Sequence, residues 1–319
     1  MIKIKKFLCL FCTLLVILLL TVNCTNIKER IKEEFENVIK EEEREVTILP
    51  GNEYTKKYDF NYVKNSEDYK LTNKEDLKNI IYSIANQGWD EFTFYCDKEY
   101  SECLNDVKSE LSTDNHMLEN IGDFVHPYNS FESIGLYYDT TGKITITMKY
   151  KYTKTEIEEI DNLINNIITT NITDNMNIDE KIRVLHDYII NNTKYDKNME
   201  ESNTSIYDSK KMTGLLKEHY AICSAYSDVF AVILSKLGVE NYKVSNDTHV
   251  WNAVKMFDKW YHIDLTWDDP VTNTGDDIIL HDYYMIDNNK LNELINNDTN
   301  IDNKDKHTFD TTIYSELLQ

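Results

Sequence analysis

The strongest constraint on the fold of this chain is a helical pattern followed by a hairpin pattern in its C-terminal half. Apolar residues recur at helical spacing from about Cys223 to Leu237, and Gly238 predicts the end of that helix. Two extended runs follow, at 249–256 and 259–266, and only Phe257-Asp258 separates them. So short a separation predicts a β-hairpin, and the helix boundary places Cys223 in the first turn.

The geometry of a hairpin predicts which side chains meet. If Phe257-Asp258 is a two-residue loop, His249 and Asp264 are diagonal neighbours on one face of the pair. A four-residue loop over 255–258 makes them directly opposite instead. An odd-length loop or a bulge would place them on opposite faces. Both even-length registers therefore predict that His249 and Asp264 lie together.

Three residues on these elements carry the side chains that a cysteine enzyme needs. A thiol becomes a strong nucleophile as a thiolate, and the backbone dipole in the first turn of a helix stabilises that anion at Cys223. An imidazole must exchange protons with the thiol and the leaving group, and a carboxylate must orient the imidazole. His249 and Asp264 supply those groups, so we predict a catalytic triad of Cys223, His249 and Asp264.

A series of short motifs surrounds these residues. They are Gly214-Leu-Leu, Ala221-Ile-Cys223-Ser-Ala-Tyr226, Leu237-Gly238-Val239, His249-Val-Trp251-Asn252 and Trp260-Tyr-His-Ile-Asp264-Leu-Thr-Trp267-Asp268-Asp269-Pro270. In order and spacing they resemble the transglutaminase-like superfamily. The resemblance covers about residues 178 to 285 and implies that Cys223 is the nucleophile, with His249 and Asp264 completing the triad.

The resemblance also implies a fold class and a division of the chain. We expect an α+β fold with a papain-like or transglutaminase-like core, in which the nucleophile helix packs on an antiparallel sheet and a smaller α+β region precedes that core. The catalytic domain is predicted over 175–290 and the smaller region over 51–174, with a helix near 73–86 and strands near 91–95 and 143–152. The polar residues 291–319 are expected to form a loosely attached tail.

The predicted chemistry is cysteine-dependent acyl transfer or hydrolysis at a protein or peptide amide through a thioester acyl-enzyme, as in a transglutaminase, a cysteine peptidase or an amidase. We predict no cofactor and no metal, because nucleotide and calcium motifs and zinc-type Cys/His spacing are absent from the sequence. The net charge of -22 disfavours nucleic acid as a partner, and the resemblance implies a protein or peptide substrate.

Three departures from the family pattern favour an alternative function. Ala225 and His219 stand where the family usually has glycine, and Phe257-Asp258 replaces an Asp-Gly turn. The alternative is a catalytically weak or inactive lipoprotein that binds a partner at the cell surface. A family helix signature, His186-Asp187, lies on a further helix predicted over 178–192, and we interpret that pair as structural.

The N-terminus has the pattern of an export signal. Three lysines precede an apolar stretch over 7–22, and Cys24 follows it. The arrangement resembles the lipobox of bacterial lipoproteins, which predicts a signal peptide over 1–23, a lipidated Cys24 that attaches the protein to the outer face of the membrane, and a charged spacer over 24–50. Plain secretion and an uncleaved anchor are the alternatives.

The predicted folded part has an odd number of cysteines, so at least one of them is a free thiol. Cys96 and Cys103 are close enough in sequence for a short-loop disulfide, although two unpaired structural cysteines fit the sequence equally well. Either interpretation leaves Cys223 as a free thiol.

Overall fold

The computed structural model describes residues 28–31, 46–111, 116–270, 278–298 and 305–319. The predicted signal peptide and Cys24 lie outside these residues. The chain divides into two units, 1–48 and 49–319. In the first unit residues 28–31 are helical. Among the described residues, no helix combines the length and the apolar character needed to cross a bilayer.

The second unit begins with a four-stranded sheet flanked by helices. Its strands are β1 (Lys70–Leu71), β2 (Glu91–Cys96), β3 (Phe131–Tyr138) and β4 (Lys143–Tyr150), in the order β1-β2-β4-β3. The helices are α1 (Lys74–Gln87), α2 (Cys103–Glu110) and α3 (Met117–Phe124). Asn73 caps α1, because its side chain accepts a hydrogen bond from the Asp76 N–H. The helix and both strands predicted in this region are therefore confirmed.

Cys96 and Cys103 form a disulfide between the end of β2 and the start of α2. This settles the choice that the sequence left open. Cys223 is the free cysteine of the described residues.

The C-terminal part contains the motif-bearing segment. It runs through α4 (Lys154–Asn171), α5 (Ile178–Asn191), β5 (Lys194–Tyr195), α6 (Lys197–Ser202), a π-helix (Gly214–Glu218), β6 (Tyr220–Ala221), α7 (Cys223–Lys236), β7 (Asn241–Ser245), β8 (Val250–Met256), β9 (Lys259–Ile263) and α8 (Asn288–Asn297). A capping box stabilises the start of α5, where Asn177 and Glu180 bond each other's backbone N–H groups. Strands β7, β8 and β9 form an antiparallel sheet in that order.

Helix α7 and this sheet share one hydrophobic core. The helix is buried along most of its length, including Tyr226, Phe230 and Ile233, and it meets core residues of the sheet such as Val254 and Ile263. The α+β class and the packing of the nucleophile helix on an antiparallel sheet are thus as predicted. Gly238 follows the helix with a φ of 74°, a left-handed conformation that glycine adopts without steric cost.

The β8–β9 hairpin has the two-residue loop that the sequence indicated. Met256 pairs with Lys259, and both loop residues have positive φ, 52° at Phe257 and 63° at Asp258. Those values match a type I′ turn, which suits the right-handed twist of a hairpin. Strand β9 ends at Ile263, earlier than expected, because the Asp264 side chain accepts the backbone N–H of Thr266 and turns the chain.

The C-terminal residues differ from the loosely attached tail that the sequence suggested. Leu291, His307, Tyr314 and Leu317 are all buried. The Tyr314 hydroxyl donates to Asp123 Oδ2 at 2.6 Å. These four apolar or aromatic side chains attach the segment to the folded protein, although the average composition of the segment is polar.

Contacts also cross the predicted boundary near residue 175, and residues 49–319 form one compact unit. Lys56 Nζ donates to the carbonyl of Asn241 at 2.8 Å. Lys151 and Lys243 flank the buried Asp228 of α7 at 2.9 and 2.8 Å. The subdivision at 175 and 290 thus remains a prediction about sequence regions, and the structure packs those regions on a shared core.

Candidate active site

Cys223 is the first residue of α7, as the sequence predicted. The preceding Ile222 is extended, and its backbone N–H donates to the carbonyl of Ser209 at 2.9 Å. The short strand β6 ends one residue earlier, so a strand-to-helix turn presents the thiol. Cys223 is half-buried. Its sulfur therefore sits where the first N–H groups of a helix have no intrahelical acceptor.

His249 and Asp264 lie together at the open end of the β8–β9 hairpin. His249 Nε2 and Asp264 Oδ2 are 2.6 Å apart, and both side chains are buried. The His249 backbone N–H donates to Asn246 Oδ1 at 2.9 Å, and the ring stacks on Trp251 with centroids 5.7 Å apart. With Nε2 turned to Asp264, Nδ1 is the ring nitrogen left for the Cys223 thiol.

The electrostatics of these groups are strongly coupled. Burial alone would lower the pKa of His249, but the negative charge and hydrogen bond of Asp264, with a hydrogen bond to Cys223, raise it to about 10. Burial alone would raise the pKa of Asp264, but His249 and a second histidine hold it well below its usual range. The site therefore favours an imidazolium beside a carboxylate, with Cys223 in hydrogen-bonding contact.

The second histidine, His307, was missed in the sequence. Its Nε2 lies 2.8 Å from Asp264 Oδ2, the same oxygen that contacts His249. The other oxygen, Oδ1, accepts the backbone N–H groups of Thr266 at 3.0 Å and Trp267 at 3.3 Å, and the Thr266 hydroxyl at 2.5 Å. Both oxygens of Asp264 are thus fully engaged. A single histidine two residues before Phe309 in a polar segment was the available signal.

A groove of about 280 Å³ opens beside His249. Trp267 and Pro270 form part of its lining, with Tyr195 and Lys197 from the β5–α6 region. Trp251 is buried, whereas Trp267 is partly exposed and lines the groove. His249 thus forms part of the wall of this groove.

A second polar cluster surrounds His186. Its Nδ1 lies 2.9 Å from Asp187 Oδ1 and its Nε2 lies 3.3 Å from Asp268 Oδ2, while His281 Nε2 contacts Asp187 Oδ1 at 2.8 Å. Burial raises the pKa of Asp187, but the two histidines outweigh it and lower that pKa to about 2. The cluster joins α5 to the segment after β9, which agrees with a structural role for His186-Asp187.

Two groups of side chains have the donor atoms to hold a metal ion. His186, Asp187 and His281 form one, and His249, Asp264 and His307 form the other; in each, the ligand atoms lie within 4.8 Å of one another. Hydrogen bonds between the members account for both arrangements without an ion.

The residues that replace family glycines adapt locally. His219 ends the π-helix with a φ of 62°, a left-handed conformation where glycine is favoured, and its side chain is exposed. Ala225 is buried inside α7.

Comparison with known proteins identifies the motif-bearing segment. The family model of the transglutaminase-like superfamily matches residues 163–265, which include Cys223, His249 and Asp264. Residues 163–265 are thus similar to the transglutaminase-like superfamily. No curated protein gives a significant match.

Two solved structures are similar to part of this chain. One is the crystal structure of a TGase, at 18% identity and a TM-score of 0.33, covering 43% of this chain and 44% of that one. The other is a candidate cysteine protease from Cytophaga hutchinsonii, at 13% identity and a TM-score of 0.26, covering 46% of this chain and 65% of that one. The chain thus spans less than two thirds of either relative.

Proposed function

We propose that this protein is a cysteine-dependent acyltransferase or hydrolase that acts on protein or peptide amides. The observation that carries the proposal is the grouping of a thiol at a helix N-terminus with a buried His249–Asp264 pair at 2.6 Å. The interaction of Cys223 with His249 supports the same assignment. A nucleophile, a base and a group that orients the base are the parts this chemistry requires.

In the proposed mechanism, His249 carries the proton taken from Cys223 as an imidazolium, and the sulfur attacks the amide carbonyl. The C–N bond then breaks as His249 returns the proton to the leaving amine, which gives a thioester on Cys223. Asp264 keeps the imidazole oriented and balances its positive charge. Backbone N–H groups in the first turn of α7 are the natural donors to the oxyanion.

The group that resolves the thioester decides the reaction type. Attack by a lysine-like amine gives a crosslink, and attack by water gives peptidase, deamidase or amidase activity. The test is to incubate residues 24–319, with Cys24→Ser, with a glutamine-containing casein and a fluorescent primary amine, and to analyse the products by mass spectrometry. Amine incorporation that is lost in Cys223→Ala establishes a transglutaminase. Cleavage or deamidation with the same dependence establishes a hydrolase.

The second candidate is a weakly active or inactive binding protein at the cell surface. His219 in a left-handed conformation at the turn before the nucleophile is the observation that favours it. A product that forms equally with Cys223→Ala, or no product with any amide substrate, would support this candidate instead.

We also propose that the protein is exported and attached to the membrane through a lipidated Cys24. The support is the apolar stretch before Cys24 and the Cys96–Cys103 disulfide, a bond typical of oxidising compartments. Metabolic labelling with radioactive palmitate tests this. Label that persists in Cys24→Ser would rule out lipidation at Cys24.

A further inference from the structure

We propose that His307 is a positioning residue of this site and that the C-terminal segment over 305–319 completes it. The inference rests on the proposed function. His307 Nε2 and His249 Nε2 approach the same oxygen, Asp264 Oδ2, at 2.8 and 2.6 Å. His307 follows Asp264 by 43 residues and belongs to a short 3-10 helix, Asp305–His307. The triad is thereby extended to four side chains.

The buried surroundings of His307 keep its imidazole neutral, so it acts as an uncharged hydrogen-bond donor. Its ring is buried and stacks on Tyr283 with centroids 4.6 Å apart, and it meets the edges of Trp267 and Trp251 at 4.7 and 5.2 Å. Burial lowers the pKa of His307 and outweighs the opposing effect of Asp264. A neutral imidazole has one N–H, and the contact with a carboxylate assigns it to Nε2.

An uncharged donor is what this position requires. A lysine or arginine here would share the negative charge of Asp264 and weaken its hold on the His249 imidazolium. His307 instead fills the remaining lone pair of Oδ2, while Thr266 and Trp267 hold Oδ1. Hydrogen bonds to both oxygens prevent the Asp264 carboxylate from rotating. The carboxylate in turn holds the His249 ring in the orientation that faces Cys223.

Asn246 couples His307 to His249 through the backbone. Its Oδ1 accepts the His249 N–H at 2.9 Å, and its Nδ2 donates to the carbonyls of Asp305, Lys306 and Thr308 at 3.1, 2.9 and 2.7 Å. One side chain therefore aligns His249, which immediately precedes β8, with the segment that carries His307. The segment is a part of the site, and an enzyme ended at residue 290 would lack it.

The test compares rates of Cys223 alkylation by iodoacetamide, which needs no amide substrate. His307→Phe keeps a flat ring but removes the donor, and we expect the rate to fall about 10-fold. His307→Gln restores an N–H donor and should return the rate to within about threefold of wild type. His116→Phe is the matched control, because it makes the same change at an exposed histidine, and its rate should equal that of wild type.

A spectroscopic measurement keeps the inference testable if His307→Phe does not fold. In protein labelled with ¹⁵N-histidine, the Nε2–H protons of His249 and His307 should give two downfield signals. His307→Gln should remove one and shift the other.

The outcomes separate this inference from the proposed function. Unchanged alkylation in His307→Phe, or an unshifted His249 signal in His307→Gln, overturns the role of His307. Alkylation that does not depend on His249 overturns the proposed function itself.

Discussion

Asp264→Asn tests the electrostatic core of the site. The carboxylate accepts five hydrogen bonds, two from imidazole nitrogens on Oδ2 and three from Thr266 and Trp267 on Oδ1. An asparagine has one oxygen for these donors. If that oxygen faces Thr266, its amide NH2 group faces both histidines, and His249 must then carry its proton on Nδ1.

A proton on Nδ1 prevents His249 from accepting the Cys223 proton. Loss of a triad carboxylate in this way reduces activity by about 10³ to 10⁴, or about 4 to 5.5 kcal/mol in the activation barrier. With p-nitrophenyl acetate we expect the lower figure, about 10³, because p-nitrophenolate leaves without a proton from His249. The pKa of His249 should also fall, since burial lowers it and the charge of Asp264 no longer opposes burial.

The assay is the rate of p-nitrophenolate release in the first turnover. Asp258→Asn is a matched control, because it makes the same change at the exposed tip of the same hairpin and should leave the rate unaltered. Both variants should keep a cooperative melting transition. If Asp264→Asn melts like the wild-type protein and keeps its acylation rate within about threefold, the assigned role of Asp264 is refuted.

Three further predictions concern the fold around the site. Cys223→Ala should keep the native circular dichroism spectrum and lose less than about 1 kcal/mol of unfolding free energy, because the half-buried sulfur leaves no closed cavity; a collapsed fold would make Cys223 structural. Asp228→Asn should cost about 3 kcal/mol in urea unfolding, because it leaves the ammonium groups of Lys151 and Lys243 without a counter-charge, and a loss below about 1 kcal/mol would contradict this. Burial lowers the pKa of His126 from 6.5 to about 3. As the pH drops below 6.5, the unfolded chain therefore binds a proton at His126 that the folded protein does not bind, and the free energy of unfolding falls. At pH 5 that loss is about 2 kcal/mol, and His126→Asn, which keeps an acceptor for the Tyr128 N–H, should remove it from the pH dependence of melting.

Local signals in the sequence predicted much of the site. The apolar stripe and Gly238 define α7, and the two-residue loop defines the register that brings His249 to Asp264. The capping box at Asn177 likewise predicts the start of α5. Each of these depends on residues within a few positions of one another, where spacing and turn chemistry govern the structure.

The contribution of His307 could not be predicted in the same way. Its partner Asp264 is 43 residues away, and no local pattern encodes that contact. The polar composition of 291–319 suggested a loose tail, but Tyr314 and Leu317 are fully buried in the core. Two buried side chains are enough to attach this polar segment, because burying a large side chain contributes roughly 1.5 to 3 kcal/mol to the free energy of folding.

The measurement that tests the central claim most directly is the alkylation of Cys223 by iodoacetamide at pH 6 in the wild-type protein and in His249→Asn. The account predicts rapid modification of the wild-type Cys223, with peptide mapping locating the label, and a loss of at least about 10-fold in His249→Asn because no imidazole accepts the thiol proton. Equal rates in the two proteins, both close to that of free cysteine, would contradict the proposal that Cys223 and His249 act together.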